Sequence, residues 1–254
     1  MREKERKALV IGASSPGGLG EAVARRLRED GAELIVSGRA MDRLQPLADD
    51  LGGRAIVCDV TDEASIAALI DAAGPFDILV NAAGTTDAGR IANIARERIE
   101  AQLAMHVTAN ILLLKHAHRA IRSGGAIVLF SSVTATVPGE GLTAYACAKA
   151  ALEHLVRIAA LEFGASNVRV NAVAPGFSPT PMTEGIFAQP AIRDLYLRQS
   201  PLGARAVSPQ EVAATVAWLT DRLCFTTGDI LQASGGAHLG AMPGLDELKA
   251  ARRV

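Results

Sequence analysis

The stretch that decides the fold is Ala8–Arg39, ALVIGASSPGGLGEAVARRLREDGAELIVSGR. Its first four residues are a short apolar run of the kind that forms a strand buried on both faces. The run breaks at Gly12 and passes through a glycine-rich turn into a segment with Leu19, Val23 and Leu27 on one side and Arg25, Arg26 and Arg28 on others. That spacing is the period of an amphipathic helix, which stops at Gly31 before a second apolar run begins. Strand, glycine turn, helix and strand in this order form a dinucleotide-binding unit. Gly12 allows the tight turn, Gly18 and Gly20 let backbone approach a pyrophosphate and the helix pack on the sheet, and the helix amino terminus faces the negative charge. Ser14, Ser15 and Leu19 complete the turn's candidate cofactor contacts.

The same alternation continues through FDILVNAAG (76–84), GGAIVLFSS (124–132) and NVRVNAVAPG (167–176), compact runs separated by helical stretches. With 254 residues and no internal repeat or low-complexity linker, the chain is expected to form one α/β domain over 1–254, a doubly wound parallel sheet of the Rossmann kind. Ligands of such sheets bind at the carboxyl ends of the strands, where Gly12, Asp59, Asn81, Ser132 and Pro175 all fall.

Beyond the fourth of these strand ends lies SSVTATVPGEGLTAYACAKAAL (131–152). Tyr145 and Lys149 are four residues apart, so on a helix both side chains lie along one face. An ammonium beside a phenol favours the phenolate and draws a group that titrates near about 10 toward neutral pH. A phenol so tuned can exchange a proton with an alcohol or a carbonyl, and Ser132 adds a hydroxyl to hold the same oxygen.

Composition narrows the alternatives. A formal net charge of −1 gives no electrostatic reason for a nucleic-acid or membrane partner. Cys58, Cys147 and Cys224 lack ligand-like spacing, so neither a disulfide framework nor a metal site is expected, and buried packing thiols are the default. Cys147 lies between Tyr145 and Lys149 but points away from them on a helix. The start, MREKERK, has no apolar signal core, and no run of 18 apolar residues follows, so a cytoplasmic protein is expected.

Taken together, Gly12-x5-Gly18-x-Gly20, Asp59, Asn81-Ala82-Ala83-Gly84, Ser132, Tyr145-x3-Lys149, Pro175-Gly176 and Thr180 resemble the short-chain dehydrogenase/reductase family, in its smaller one-domain type, from Lys7 to about Gly236. The resemblance implies a nicotinamide cofactor. Asp59 and the backbone of Val60 are then expected at the adenine, Lys149 at the nicotinamide ribose, and Thr180 with the backbone after Gly176 at the carboxamide. It also implies Tyr145 as acid/base, Lys149 as its tuner, Ser132 as oxygen anchor, and a homo-oligomer, tetramer or dimer. The proline-bearing stretch from Pro179 to Arg205 matches the family's substrate lid, and the tail of about 237–254 is expected to flank the lid or contact a subunit.

Departures from the pattern carry expectations of their own. Five residues, Ala13 to Gly17, separate the first two glycines where the family has three, so the phosphate turn is enlarged, with Pro16 and Gly17 as the addition. The enoyl-thioester reductase relatives also show a longer spacing, but Tyr145-x3-Lys149 argues against that branch. His106 stands where the family places an asparagine that holds a water beside the lysine. It is expected to hold that water through a ring nitrogen and titrate near neutrality, or to pack as a neutral helix residue, or to yield the role to Asn110 one turn later. Ala82 replaces a frequent second asparagine, and Asn81 is read as a brace. The acidic residue that NAD-preferring relatives place after the second strand is Gly38 here, followed by Arg39, which can pair with a 2′-phosphate. NADP(H) is therefore favoured, with NAD(H) possible.

Val133, Thr134, Glu140 and Leu142 beside the catalytic residues, with Phe177, Met182 and Phe187 from the lid, describe a largely apolar substrate pocket. A small-molecule secondary alcohol or ketone is the first reading. A 3-oxoacyl thioester is the second, set lower because the positions matching the family's carrier-docking arginines are Ser123 and Ser166. A non-catalytic nucleotide-sensing relative is the third, disfavoured because Ser132, Tyr145 and Lys149 are all kept.

Overall fold

The computed structural model describes residues 5–252; Met1 to Lys4 of the charged start and the last two residues of the expected tail lie outside them. Seven strands form one parallel sheet, in the spatial order β3-β2-β1-β4-β5-β6-β7. In chain order, β1 (Lys7–Ile11), α1 (Leu19–Glu29), β2 (Glu33–Gly38), α2 (Met41–Leu51), β3 (Arg54–Val57) and α3 (Glu63–Ala73) build one half. The other half comprises β4 (Phe76–Asn81), α4 (Arg96–Leu103), α5 (Ala109–Ala117), β5 (Ile121–Phe130), α6 (Thr143–Gly164), β6 (Arg169–Pro175), α7 (Glu184–Phe187), α8 (Pro190–Leu197), α9 (Pro209–Thr220), β7 (Ile230–Ala233) and α10 (Leu245–Ala251).

The unbroken apolar strands are explained by helices on both faces. Along β1, Leu9 and Ile11 join the core against α3, α5 and α6, while Ala8 and Val10 join the opposite core against α1, α2 and α9. All four are fully buried. The interiors of the inner strands are therefore mostly apolar, with Ser37 and Asn171 as buried polar exceptions, and the pleat decides which core receives each side chain.

Winding outward from β1 in both directions leaves a switch point between β1 and β4, where loops diverge to opposite sides of the sheet. The register aligns Ile11 with Asn81, Asn81 with Leu129, and Leu129 with Ala172. The turns that follow β1, β4, β5 and β6 thus emerge side by side along one carboxyl edge.

Three local features differ from the sequence reading. The stretch 179–205 is not irregular throughout, because α7 and α8 lie within it and Pro190 opens α8 at a position where its missing N–H costs nothing. The helix between β4 and β5 is broken by a π turn at Ala104–Thr108 that separates α4 from α5. Cys147 is exposed on the outer side of α6, whereas Cys58 and Cys224 are buried packing residues.

Candidate active site

Backbone contact fixes the glycine turn. Gly12 has φ +85°, and a Cβ there would lie 2.4 Å from the Ala83 nitrogen; a Cβ on Gly20 would lie 2.3 Å from the Gly12 carbonyl oxygen. The β1 turn, α1 and the loop after β4 can stack this closely only with glycine at both places. Helix α1 has Gly18 at its N-cap and no side-chain cap, so its first amides stay open toward the cleft. The enlargement of the turn is resolved locally: Gly18 donates to the Ser15 carbonyl at 2.9 Å, and Gly17 has φ +72°. Proline at the second and glycine at the third position of this four-residue turn is the type II pattern. Pro16 and Gly17 are exposed, so the extra residues bulge outward and leave Ser14, Ser15 and Gly18 on the cleft.

That cleft is also lined by Leu19, Arg39, Asp59, Val60, Ala82, Gly84 and Thr180. Asp59 accepts from Thr61 through the backbone N–H at 2.9 Å and the hydroxyl at 2.6 Å. These bonds, with a smaller contribution from Arg39, hold its carboxyl below the usual range. A Cβ at Gly38 would meet the Ser14 hydroxyl at 2.6 Å, so an acidic side chain has no room there unless Ser14 moves. Open helix amides for phosphate, a carboxylate at the far end and a cation beside it suit a dinucleotide.

The second cleft, about 200 Å³, adjoins the first through Leu19, Ala82, Gly84 and Thr180. Helix α6 delivers Tyr145 and Lys149 to it, and the end of β5 delivers Ser132. The Lys149 Nζ lies 5.6 Å from the centre of the Tyr145 ring and donates to the Phe130 carbonyl at 2.6 Å. One turn on, Glu153 accepts from the Ser131 hydroxyl at 2.8 Å and ties the same helix to the same strand end. The Thr134 N–H and hydroxyl both donate to Ser132 Oγ, at 3.2 and 2.9 Å. Both lone pairs of that oxygen are then engaged, leaving the Ser132 O–H as a donor.

The charge balance differs from the sequence expectation. Burial raises the Tyr145 phenol above its ordinary value, with a hydrogen bond to Ser132 opposing the rise. Burial lowers the Lys149 ammonium to about 7. In this arrangement desolvation governs the phenol, so Tyr145 stands as a protonated donor.

His106, in the π turn, is 1% exposed and its ring meets the Tyr145 ring edge-on at 5.3 Å. Its Nε2 lies 2.7 Å from the Thr85 carbonyl, which can only accept, so Nε2 carries the proton and Nδ1 keeps its lone pair, buried and unpartnered. Burial, aided by the Lys149 charge, pushes its pKa down to about 3. The expected titration near neutrality is therefore corrected: His106 stays neutral there. Asn110 does not take its place, because its side chain accepts from Asn81 at 2.9 Å and donates to the His106 carbonyl at 2.9 Å. Asn81 in turn accepts from the Ala83 N–H at 3.1 Å and is 2% exposed, a brace behind the cleft rather than part of its lining.

Thr134, Pro175, Gly176, Phe177 and Met182 line the second cleft, as do Tyr196 and Met242, which the sequence reading missed. Phe177 stacks on Tyr196 at 4.4 Å and 4°, and on Phe187 at 5.3 Å and 20°. No motif marks residue 196 or 242; α8 and the tail bring them to the cleft from outside the conventional spacing.

Lys149 gives the site a pH signature. Between about 7 and 10.5 the unfolded chain binds a proton at this residue that the folded chain does not, so its contribution to stability rises with pH through that window. Tyr145 ionises above its ordinary value and leaves the lower part of the window undisturbed. Urea unfolding from pH 7 to 9 is expected to show the wild type gaining stability relative to Lys149→Met, by up to about 1.4 kcal/mol per pH unit. Parallel curves would refute the buried, depressed lysine.

The comparisons with known proteins agree with this geometry. Residues 12–238 match a family model described as enoyl-(acyl carrier protein) reductase. A cis-4-hydroxycyclohexanecarboxylate dehydrogenase of Sinomonas cyclohexanicum is 38% identical over 247 residues, covering 91% of this chain and 96% of the relative. A 4-formylbenzenesulfonate dehydrogenase of Comamonas testosteroni is 36% identical, covering 94% and 100%. A short-chain type dehydrogenase/reductase from Mycobacterium ulcerans superposes with a TM-score of 0.88 at 30% identity, over 96% of this chain and 97% of that one. An actinorhodin polyketide ketoreductase variant solved with NADPH gives 0.84 at 28%, over 92% and 97%. With its parallel sheet, its glycine turn and relatives that are oxidoreductases along nearly their whole length, the chain belongs to the short-chain dehydrogenase/reductase family and is an enzyme acting on CH–OH groups.

Proposed function

We propose that the enzyme reduces uncharged ketones, and oxidises the matching secondary alcohols, with NADP(H) as its preferred cofactor. The observation that carries the reading is the convergence of Ser132, Tyr145 and Lys149 at the junction of the two clefts. The nicotinamide, when bound, supplies or accepts a hydride. The chain's own residues do the rest. The Ser132 O–H, freed for donation by Thr134, holds the carbonyl oxygen, and Tyr145 gives that oxygen a proton in reduction or takes one from the carbinol in oxidation. Lys149 would hold the ribose with the N–H groups not used on Phe130 and, when protonated, stabilises the phenolate left behind. Neutral His106 offers Nδ1 as a fixed acceptor beside them. Arg39, with no acidic group at residue 38, favours a 2′-phosphate, though NAD(H) remains admissible in the same cleft.

The substrate end is supported by the lining. Lys149 is the one cationic side chain among the described residues lining the second cleft, and the stacked Phe177 and Tyr196 offer a flat apolar wall. This suits a ring ketone. The likeness to a polyketide ketoreductase supports a 3-oxoacyl thioester as the second reading. It ranks lower because Ser123 and Ser166 offer no cation to an acidic carrier and Arg122 is paired with Asp77 at 2.7 Å. A homo-oligomer is favoured by exposed apolar residues on two faces: Ile158 and Leu161 on α6, and Trp218, Leu223 and Phe225 on and after α9. No helix among the described residues is long and apolar enough to cross a membrane.

Titration with NADPH and NADH, followed by nicotinamide absorbance over a panel of ketones and 3-oxoacyl thioesters, tests the reading. NADPH is expected to bind more tightly and to be consumed with ring ketones, and Arg39→Ala to weaken NADPH binding about tenfold or more while sparing NADH. Equal loss for both cofactors would remove the 2′-phosphate assignment, and turnover confined to thioesters would replace the substrate. Sedimentation is expected to show a tetramer or dimer; a monomer at micromolar concentration would sink the oligomer.

A further inference from the structure

The tail holds the substrate cleft from a side that no motif predicts. Met242 lines the cleft, and its Cγ lies 3.5 Å from where a Cβ would stand on Gly139. Three residues later the Leu245 N–H donates to Glu140 Oε2 at 2.8 Å, and the Leu245 methyls lie 3.8 Å from the Cβ position of Gly141. Glu247 forms an ion pair with Arg198 at the end of α8. The tail is thus fastened at two points, to the loop that leads into the helix of Tyr145 and to the lid helix that carries Tyr196.

These fastenings differ in kind, and both are exposed. Arg198 and Glu247 are both more than a third exposed, at 53% and 37%, so water and salt screen their attraction. The Glu140 bond is a charge-assisted contact to backbone at the first residue of α10, and it fixes the register of the tail against the catalytic loop. Three residues before the Glu140 anchor, Met242 is an unbranched apolar side chain that lines the cleft.

We infer that Met242 is a specificity-determining residue that sets the size of ketone the cleft accepts, and that Glu140 is the positioning residue that seats it. This rests on the ketone-reductase reading above. Met242 touches neither Ser132 nor Lys149 in any hydrogen bond, so its effect falls on substrate fit rather than on proton transfer. Shortening it enlarges the cleft at the end bounded by Gly139 and Leu142, and enlarging it with an aromatic ring fills that end. In an apolar pocket, one methylene changes discrimination by about 10-fold or more.

The test compares cyclohexanone with trans-1-decalone in the wild type, Met242→Ala and Met242→Phe. Each ketone is measured both as kcat/KM and as a dissociation constant from quenching of bound NADPH fluorescence. The decalone-to-cyclohexanone ratio is expected to rise about tenfold or more in Met242→Ala and to fall in Met242→Phe, with NADPH affinity unchanged. A ratio unmoved in both variants overturns the assignment. If neither ketone turns over but the binding ratios shift, the reaction reading fails while the role of Met242 stands. For the latch, Glu140→Ala is expected to raise KM for both ketones several-fold with kcat and NADPH affinity retained, and Glu140→Gln, which keeps the acceptor oxygen, to restore the wild-type KM. Wild-type KM values in Glu140→Ala overturn the seating role.

Discussion

The site depends on a lysine held almost out of water. Lys149 is 4% exposed, donates to the Phe130 carbonyl at the end of the inner strand β5, and its ammonium is lowered to about 7 by that burial. A charge in such a place is costly unless hydrogen bonds hold it, and the carbonyls at a strand end provide one. The bond sets the distance between α6 and β5, and Tyr145 and Ser132 ride on those two elements. Ser131 with Glu153 repeats the tie one turn later. The geometry of the proton-transfer group is thus set by helix-to-strand hydrogen bonds rather than by the loops that surround it.

On the other side of the switch point the constraint is steric. The turn after β1, the start of α1 and the loop after β4 meet in backbone contact at Gly12, Gly20 and Ala83. The added Pro16 and Gly17 leave this contact intact because they close a turn of their own on the outer surface. An insertion that looked like a change to the phosphate site is, physically, a surface bulge. His106 teaches a similar lesson: its replacement for an asparagine suggests a titrating relay, but a ring locked to the Thr85 carbonyl and shut from water is a neutral acceptor.

Much of this was legible in the sequence, for identifiable reasons. Strands such as Ala8–Ile11 are buried on both faces, so they read as unbroken apolar runs, and the glycines and the Tyr145–Lys149 pair sit at spacings set by backbone contact and helix period. What escaped was set by long-range packing. The helices α7 and α8 lie in a proline-bearing stretch without clean periodicity, and Tyr196 and Met242 reach the cleft only through the folding back of the lid and the tail. The balance between desolvation and charge at Tyr145 was likewise hidden, because spacing places the lysine but does not say how much water remains. Exposure of Cys147 follows from the outward face of α6, which the sequence reading took for packing.

The central claim is that Tyr145 exchanges the proton that accompanies hydride transfer, and deuterium transfer from [4-2H]NADPH to cyclohexanone in a single turnover tests it most directly. The account predicts deuterium on the carbinol carbon in the wild type, and in Tyr145→Phe a transfer rate lower by about 100-fold or more with NADPH binding preserved. Transfer at the wild-type rate in Tyr145→Phe would contradict it.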